Sequence, residues 1–294
     1  MAKTDLEIFI EQEAQKSRNT GVPVKASFIE RLFVRKKSIK KLHPNPEDEF
    51  CFPDIGPNMQ IISSYVAQYK TNIDRGERLM DEPLYVQKIR PSGYMILNGH
   101  HRWAAAIRLG IRSVPISIVN GVFEADIKMI LEASKHEKRA TLDLDEVVFA
   151  QKDDVYVEKR RGIPVYGLQK KRLRQGIPAV IKNLKVRGFD VWVYSAGYYS
   201  IDDIKRFFKH YGVIVDGIIT GMKKKSAKAA ASGNRITDLL ANRYKTTLHF
   251  DRDLLIMTGG SRGDFVEEEL DCSPDTWSGA VMDAVDRMDR DEKE

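Results

Sequence analysis

The sequence predicts an α/β protein built as two domains, and three observations carry that reading. Through the second half, strands alternate with helices of about a dozen residues, the pattern of a parallel sheet with crossover helices. In Ile96–Gly110, "ILNGHHRWAAAIRLG", an apolar run closes on a glycine and passes straight into an alanine-rich helix. Between the halves lies the charged stretch Ser134–Arg139, "SKHEKR". The expected division is a helical extension over residues 1–30, a first domain over 31–136 and a second over 137–294.

The leading run "MAKTDLEIFIEQEAQKS" spaces its apolar residues at roughly helical intervals and lacks the compact apolar core of a signal peptide. "KKSIKKLHPNPEDEF" reads as a short strand broken by a Pro-rich loop. A helix follows over "NMQIISSYVAQYKTNID". "PLYVQKIR" alternates as a strand, and the turn Pro91-Ser92-Gly93 leads into the strand "YMILNG". "HHRWAAAIRLG" is a short helix stopped by Gly110. "VPISIV" is a strand and "FEADIKMILEASK" a helix. The second half continues as strand "ATLDLD", helix "IPAVIKNLKVRG", strand "DVWVYS" and helix "SIDDIKRFFKHYG". Strand "GIIT", helix "ITDLLANRY" and strand "TTLHFD" complete it, and no internal repeat links the halves.

Composition bounds the function classes without choosing among them. The apolar fraction is 42%, and no apolar run reaches the length of about eighteen residues that a membrane span needs, so no membrane partner is expected. Cys51 and Cys272 are too few for a disulfide framework or a cysteine zinc site, which points to a reducing, cytoplasmic setting. The net charge of +6 is unevenly spread, with basic clusters at Arg35–Lys41, Lys159–Arg174 and Lys223–Lys228 and an acid-rich tail. Such patches suit phosphates, of nucleotides or of nucleic acid; a solvated face accounts for each of them equally simply.

The glycine junction raises an electrostatic question. His100, His101 and Arg102 stand at the helix end where the macrodipole is already positive, an unfavourable placement by up to ~1 kcal/mol. An anion between them would turn the conflict into a charge-assisted clamp, because glycine lets the backbone turn tightly and the first N–H groups of the helix point outward. The alternative is a turn whose histidines only pack or cap.

"ILNGHHRWAAAIRLG" followed by "VPISIV", with "IKKLHPNPEDEF" upstream, resembles the ParB/sulfiredoxin family over roughly residues 30–120. In that family a D/N-G-x-H-R box closes a strand and opens a helix. The resemblance implies an α+β domain that binds nucleotide phosphates through Gly99, His101 and Arg102, with His100 beside them and Asn98 where many relatives have aspartate. Sulfiredoxins need a cysteine at the position of His100, and partition proteins continue into a helix-turn-helix region that this chain lacks. The layout is closer to the free-serine-kinase-like members, which resemble small nucleotide-dependent phosphotransferases; the expected nucleotide is ATP or CTP. Such a reaction needs a general base for the substrate hydroxyl. Glu47, in the acidic run Glu47–Glu49, is the expected base; a solvated acidic loop is the alternative.

In the second half, "ATLDLDEVVF" sets Asp143 and Asp145 two apart near a strand's C-terminal end, the edge where open α/β sheets bind ligands. Ser195 ends the next strand, Lys223–Lys225 follow the third, and Asp251 and Asp253 follow the fourth. This order resembles the haloacid dehalogenase (HAD) phosphohydrolases over about residues 138–260, which implies a Rossmannoid parallel-sheet domain. The resemblance implies Asp143 as nucleophile and Asp145 as acid–base. It implies Ser195 and Lys224 (or a neighbouring lysine) on the phosphoryl oxygens, and Asp143, Asp145, Asp251 and Asp253 around Mg²⁺. The short interval between Asp145 and Ser195 leaves no room for a large cap, so the site would be open to a bulky substrate such as a protein or nucleic-acid end unless the first domain covers it. The expected partners are a nucleotide and a phosphorylated small molecule or nucleic-acid end. The competing function is a nucleic-acid-binding ParB-like nuclease or accessory factor whose second half is structural.

Overall fold

A computed structural model of the chain describes residues 4–52, 54–152, 154–162, 167–221, 235–251, 254–259, 264–270, 273 and 276–291. They form two compact units, Met1–Asn120 and Gly121–Glu294. The helix that sequence reading assigns to the end of the first domain, α5 (Glu124–Ala133), therefore lies in the second unit.

The first unit comprises α1 (Asp5–Thr20), β1 (Val22–Pro23), α2 (Phe28–Phe33), β2 (Lys36–Ser38), β3 (Leu42–Pro44), α3 (Met59–Asp74), β4 (Leu84–Arg90), β5 (Tyr94–Asn98), α4 (His100–Arg108) and β6 (Ser113–Ile118). Its sheet runs β2-β6-β4-β5-β3, with β1 paired to the far end of β4. The stretch read as one short strand is thus two. A 3-10 turn at Ile39–Lys41 redirects the chain, so that β2 and β3 end on opposite edges. β4 and β5 form an antiparallel hairpin across the expected turn, burying Leu84, Val86 and Ile96. Helix α4 lies against this layer through Trp103 and the fully buried Ala104, Ala105 and Ala106. Three small side chains in a row let its backbone come close, which fixes where its first turn points.

The second unit adds to α5 the elements β7 (Lys138–Asp143), α6 (Ile177–Val186), β8 (Phe189–Ser195), α7 (Ile201–Lys209), β9 (Gly217–Thr220), α8 (Arg235–Arg243), β10 (Thr246–Phe250), β11 (Leu254–Gly259), β12 (Asp264–Glu269) and α9 (Trp277–Asp291). The sheet order is β12-β11-β10-β7-β8-β9. β10, β7, β8 and β9 pair in parallel, and β11 and β12 extend the β10 edge antiparallel. One face packs Leu142, Val191, Val193 and Phe250 under α6, α7 and α9. The other packs Trp192 and Ile219 with α5 and α8. Gly217 makes room for this second layer, since a Cβ there would stand 2.0 Å from the Trp192 ring.

The charged stretch Ser134–Arg139 is not wholly a connector, because Lys138 and Arg139 are the first residues of β7. The Arg139 guanidinium lies 5.3 Å from the centre of the Tyr244 ring and donates from Nη2 to Thr247 Oγ1 at 3.2 Å. A long aliphatic stem lets such a residue sit in a strand while its head finds polar partners.

Candidate functional site

In the first unit the site grows out of one turn. Gly99 has φ 99°, ψ 23°, a left-handed conformation that costs an L-residue roughly 1–2 kcal/mol. A Cβ at Gly99 would meet Leu84 Cδ2 at 2.6 Å and Arg102 Nε and Nη2 at 3.1 Å. The guanidinium of Arg102 therefore folds back over the glycine that starts its own helix. Its Nη1 donates to the main-chain oxygen of Glu82 at 2.8 Å, and its Nη2 to Asn98 Oδ1 at 3.3 Å. The Glu82 carboxylate lies 3.4 Å from Nη1.

The two histidines play a different part. His100 is buried, and its Nε2 accepts the backbone N–H of Asn45 at 3.1 Å. His101 Nε2 accepts the backbone N–H of Asn58 at 3.2 Å. An acceptor nitrogen committed to the main chain leaves the ring proton on Nδ1. Phe50 stacks on His100 with ring centres 5.3 Å apart and meets His101 edge-on at 5.0 Å. The expected clamp thus resolves into one fixed cation and two imidazoles that tie the acidic loop and the start of α3 to the start of α4. The dipole conflict is correspondingly smaller than three basic residues suggest.

Glu47 is exposed on that loop, its N–H bonded to Asn45 Oδ1 at 3.1 Å. Asp48 is closer to the box: Oδ1 accepts the N–H of Phe50 at 3.1 Å and lies 3.6 Å from His100 Nδ1. Tyr69 on α3 carries a buried hydroxyl with no hydrogen-bond partner among the described residues. Burial raises its pKa, and the Arg102 charge pulls the other way.

In the second unit, the expected strand-end residues lie along one edge. β7 and β10 connect onward in opposite directions, so the crevice between their C-terminal ends is the switch point of the sheet. Asp143 and Asp251 flank it, next to the registered pair Leu142 and Phe250. Asp143 Oδ1 accepts the N–H groups of Asp145 at 2.7 Å and Glu146 at 2.9 Å, capping a π-helical turn over Leu144–Val148. Burial raises the Asp143 pKa; the two N–H bonds oppose this and the Asp145 and Asp251 charges add to it. Tyr194, beside Asp143 in register, is pushed up to about 12 by burial and by Asp143, Asp251 and Glu146.

Asp145 is held from both sides. Tyr199 Oη donates to Oδ1 at 2.7 Å, and the buried Ser195 hydroxyl donates to Oδ2. Ser195 Oγ in turn accepts the N–H of Gly197 at 2.8 Å. Asp143, Asp145, Ser195 and Asp251 thus gather at one edge, whereas Lys224, with its neighbours Lys223 and Lys225, and Asp253 lie outside the described residues. Among the described residues no three His, Cys, Asp or Glu side chains are grouped to hold a metal ion. No helix among them is long and apolar enough to cross a membrane.

On the sequence alone Tyr194, Tyr198 and Tyr199 flank Ser195, lining a pocket or packing at the strand end, and neither Glu82 nor Tyr69 is marked. Tyr199 was findable as one of the tyrosines around Ser195. Glu82 had no signal, because only the fold brings its loop onto Arg102.

Residues 66–135 match the ParB N-terminal domain. Over 56 residues the chain is 41% identical to an ATP-dependent L-serine kinase of Desulfurococcus mucosus, which covers 19% of this chain and 22% of that protein. It is 32% identical over 74 residues to an ATP-dependent L-serine kinase of Staphylothermus marinus, 25% of this chain and 29% of the relative. Among solved structures it is similar to the C-terminally truncated chromosome-partitioning protein ParB of Caulobacter crescentus complexed with CTP-γ-S. That likeness has 25% identity and a TM-score of 0.25, over 33% of this chain and 51% of ParB. The chain therefore matches less than a third of the length of either serine kinase, and the Gly99 turn lies within the stretch matched by the ParB N-terminal domain.

Proposed function

We propose that the chain is a nucleotide-dependent phosphoryl-transfer protein, with a kinase-type site in the first unit and a Mg²⁺-dependent HAD-like phosphatase site in the second. The observation that carries the first half is the left-handed Gly99 turn, which folds Arg102 over the opening of α4 inside the stretch matched by the ParB N-terminal domain.

Gly99, His101 and Arg102 hold the nucleotide phosphates, with Asn98 orienting the guanidinium and His100 fixing the acidic loop beside them. The matched relatives are ATP-dependent L-serine kinases, so ATP is the first nucleotide to test and CTP the second. Glu47 takes the proton of the attacking substrate hydroxyl as it displaces the nucleotide's leaving oxygen. A free amino acid hydroxyl such as that of serine is the substrate class this implies.

What supports the second half is the strand order β10-β7-β8-β9 and the acidic residues at its switch point. Asp143 attacks the substrate phosphorus and displaces the leaving oxygen, which Asp145 protonates. Water that gives its proton back to Asp145 then attacks the phosphorus, breaking the bond to Asp143 and releasing phosphate, while Ser195 and Lys224 steady the phosphoryl oxygens. The donors are hard carboxylate oxygens, which suit Mg²⁺. Asp143, Asp145 and Asp251 are not grouped as a metal site in this structure; with Asp253 they would have to draw together to hold an ion that would neutralise phosphate charge.

Calorimetric titration with ATP and CTP tests the first half: wild type binds at least one of them, and Arg102→Ala abolishes that binding. Hydrolysis of p-nitrophenyl phosphate with Mg²⁺ tests the second. Equal rates in wild type and Asp143→Asn would remove Asp143 as the nucleophile.

A further inference from the structure

Arg102 is an ion met by an unequal partner. Its side chain is 9% exposed, while that of Glu82, the carboxylate it pairs with, is 72% exposed. A buried guanidinium needs hydrogen-bond partners to stay in place, whereas an exposed carboxylate adds little to the stability of such a pair. The hydrogen bonds that orient the guanidinium go elsewhere, to the main-chain oxygen of Glu82 at 2.8 Å and to Asn98 Oδ1 at 3.3 Å. The carboxylate stands 3.4 Å off, beyond the usual length of a charge-assisted hydrogen bond. Neutral groups therefore fix the direction of Arg102, and a solvent-exposed side chain supplies its negative charge. Removing that side chain leaves the orientation in place, which is the arrangement of a site that exchanges one anion for another.

We propose that Glu82 is the resting counter-ion of Arg102 and is displaced by a nucleotide phosphate. The inference rests on the nucleotide reading of the Gly99 turn given above and adds a specificity element to it. A carboxylate on the guanidinium sets a threshold: a ligand carrying several negative charges displaces it more readily than one carrying few. Glu82 thereby favours di- and triphosphates over monophosphates.

The test is calorimetric titration of wild type, Glu82→Gln and Arg102→Ala with ATP, CTP, AMP and inorganic pyrophosphate. Glu82→Gln keeps the main-chain oxygen that orients Arg102 and removes the charge at an exposed position, so the fold is retained; thermal melts check this. The expected result is tighter binding by Glu82→Gln, by about two- to fivefold for ATP or CTP, with a narrower ATP-to-AMP preference than wild type. Unchanged or weaker binding by Glu82→Gln, including no binding by either protein, overturns the proposal. The two readings fail separately: nucleotide binding that Arg102→Ala abolishes keeps the phosphate site even when Glu82→Gln changes nothing.

Discussion

His101 Nε2 accepts the backbone N–H of Asn58 at 3.2 Å, which ties the first turn of α4 to the cap of α3. Asn58 is itself the N-cap, its side chain accepting the N–H groups of Gln60 and Ile61. His100 makes the parallel tie to Asn45, so neighbouring residues of one turn hold two separate loops. The basic turn is therefore a structural hub as well as a candidate phosphate site. Substitutions in it need a stability measurement beside every activity measurement.

Gly99→Ala separates backbone from chemistry. The left-handed φ and the 2.6 Å approach to Leu84 Cδ2 both oppose a methyl group. Urea unfolding is expected to show a loss of about 2 kcal/mol or more, the left-handed penalty plus displacement of Leu84. Stability equal to wild type would mean that the turn does not need glycine.

Asp143→Asn is expected to raise stability while abolishing phosphatase activity. Asparagine Oδ1 still accepts the N–H groups of Asp145 and Glu146, but the half-buried charge beside Asp145 and Asp251 is gone. Because the folded-state pKa of Asp143 is raised, its stabilising contribution is full below the unfolded aspartate value and lost as pH rises through the folded one. The variant should therefore melt a few degrees above wild type at neutral pH, and the gap should close in acid. A lower melting temperature for the variant at neutral pH would contradict this.

Asp190→Asn should behave in the opposite sense. Burial alone would raise the Asp190 pKa, but hydrogen bonds from Ser134, His136 and Tyr244 outweigh it and lower it. A lowered carboxylate pKa gives stability that is present above the unfolded value, about 4, and lost as pH falls through the folded one. The variant is expected to lose about 2 kcal/mol at neutral pH, with the difference from wild type shrinking in acid. A pH-independent difference would place the effect in packing.

Tyr199→Phe probes how Asp145 is held. Removing the hydroxyl leaves the Ser195 hydroxyl bond to that carboxylate among the described residues, so its orientation loosens. With p-nitrophenyl phosphate, kcat should fall by about tenfold with KM little changed, the pattern of a lost transition-state alignment. A change in KM alone would instead make Tyr199 a binding residue.

The parts legible in the sequence are those with a local cause. Gly99 announced its turn, Gly110 its helix stop, and the alternation of "PLYVQKIR" and "DVWVYS" their strands. β11, β12 and α9 were not foreseen. β12 reads "DFVEEE", acidic residues on the edge of a sheet, where pairing rather than burial makes the strand. Lys138 and Arg139 looked like a connector because strand membership there depends on Tyr244 and Thr247, about a hundred residues away. The same holds at the first site. The Gly99–Arg102 box is visible as a string, but the Glu82 carboxylate beside it depends on how the loop before β4 folds onto α4.

Phosphoryl transfer at the Gly99–Arg102 turn would leave the nucleotide's γ-label on the substrate hydroxyl. The most direct measurement incubates the full chain with γ-labelled ATP or CTP, Mg²⁺ and free L-serine, and follows label into phosphoserine. Wild type should form the product and Arg102→Ala should not, while both proteins melt as folded molecules. No labelled phosphoserine with wild type, or equal transfer by Arg102→Ala, would contradict the account.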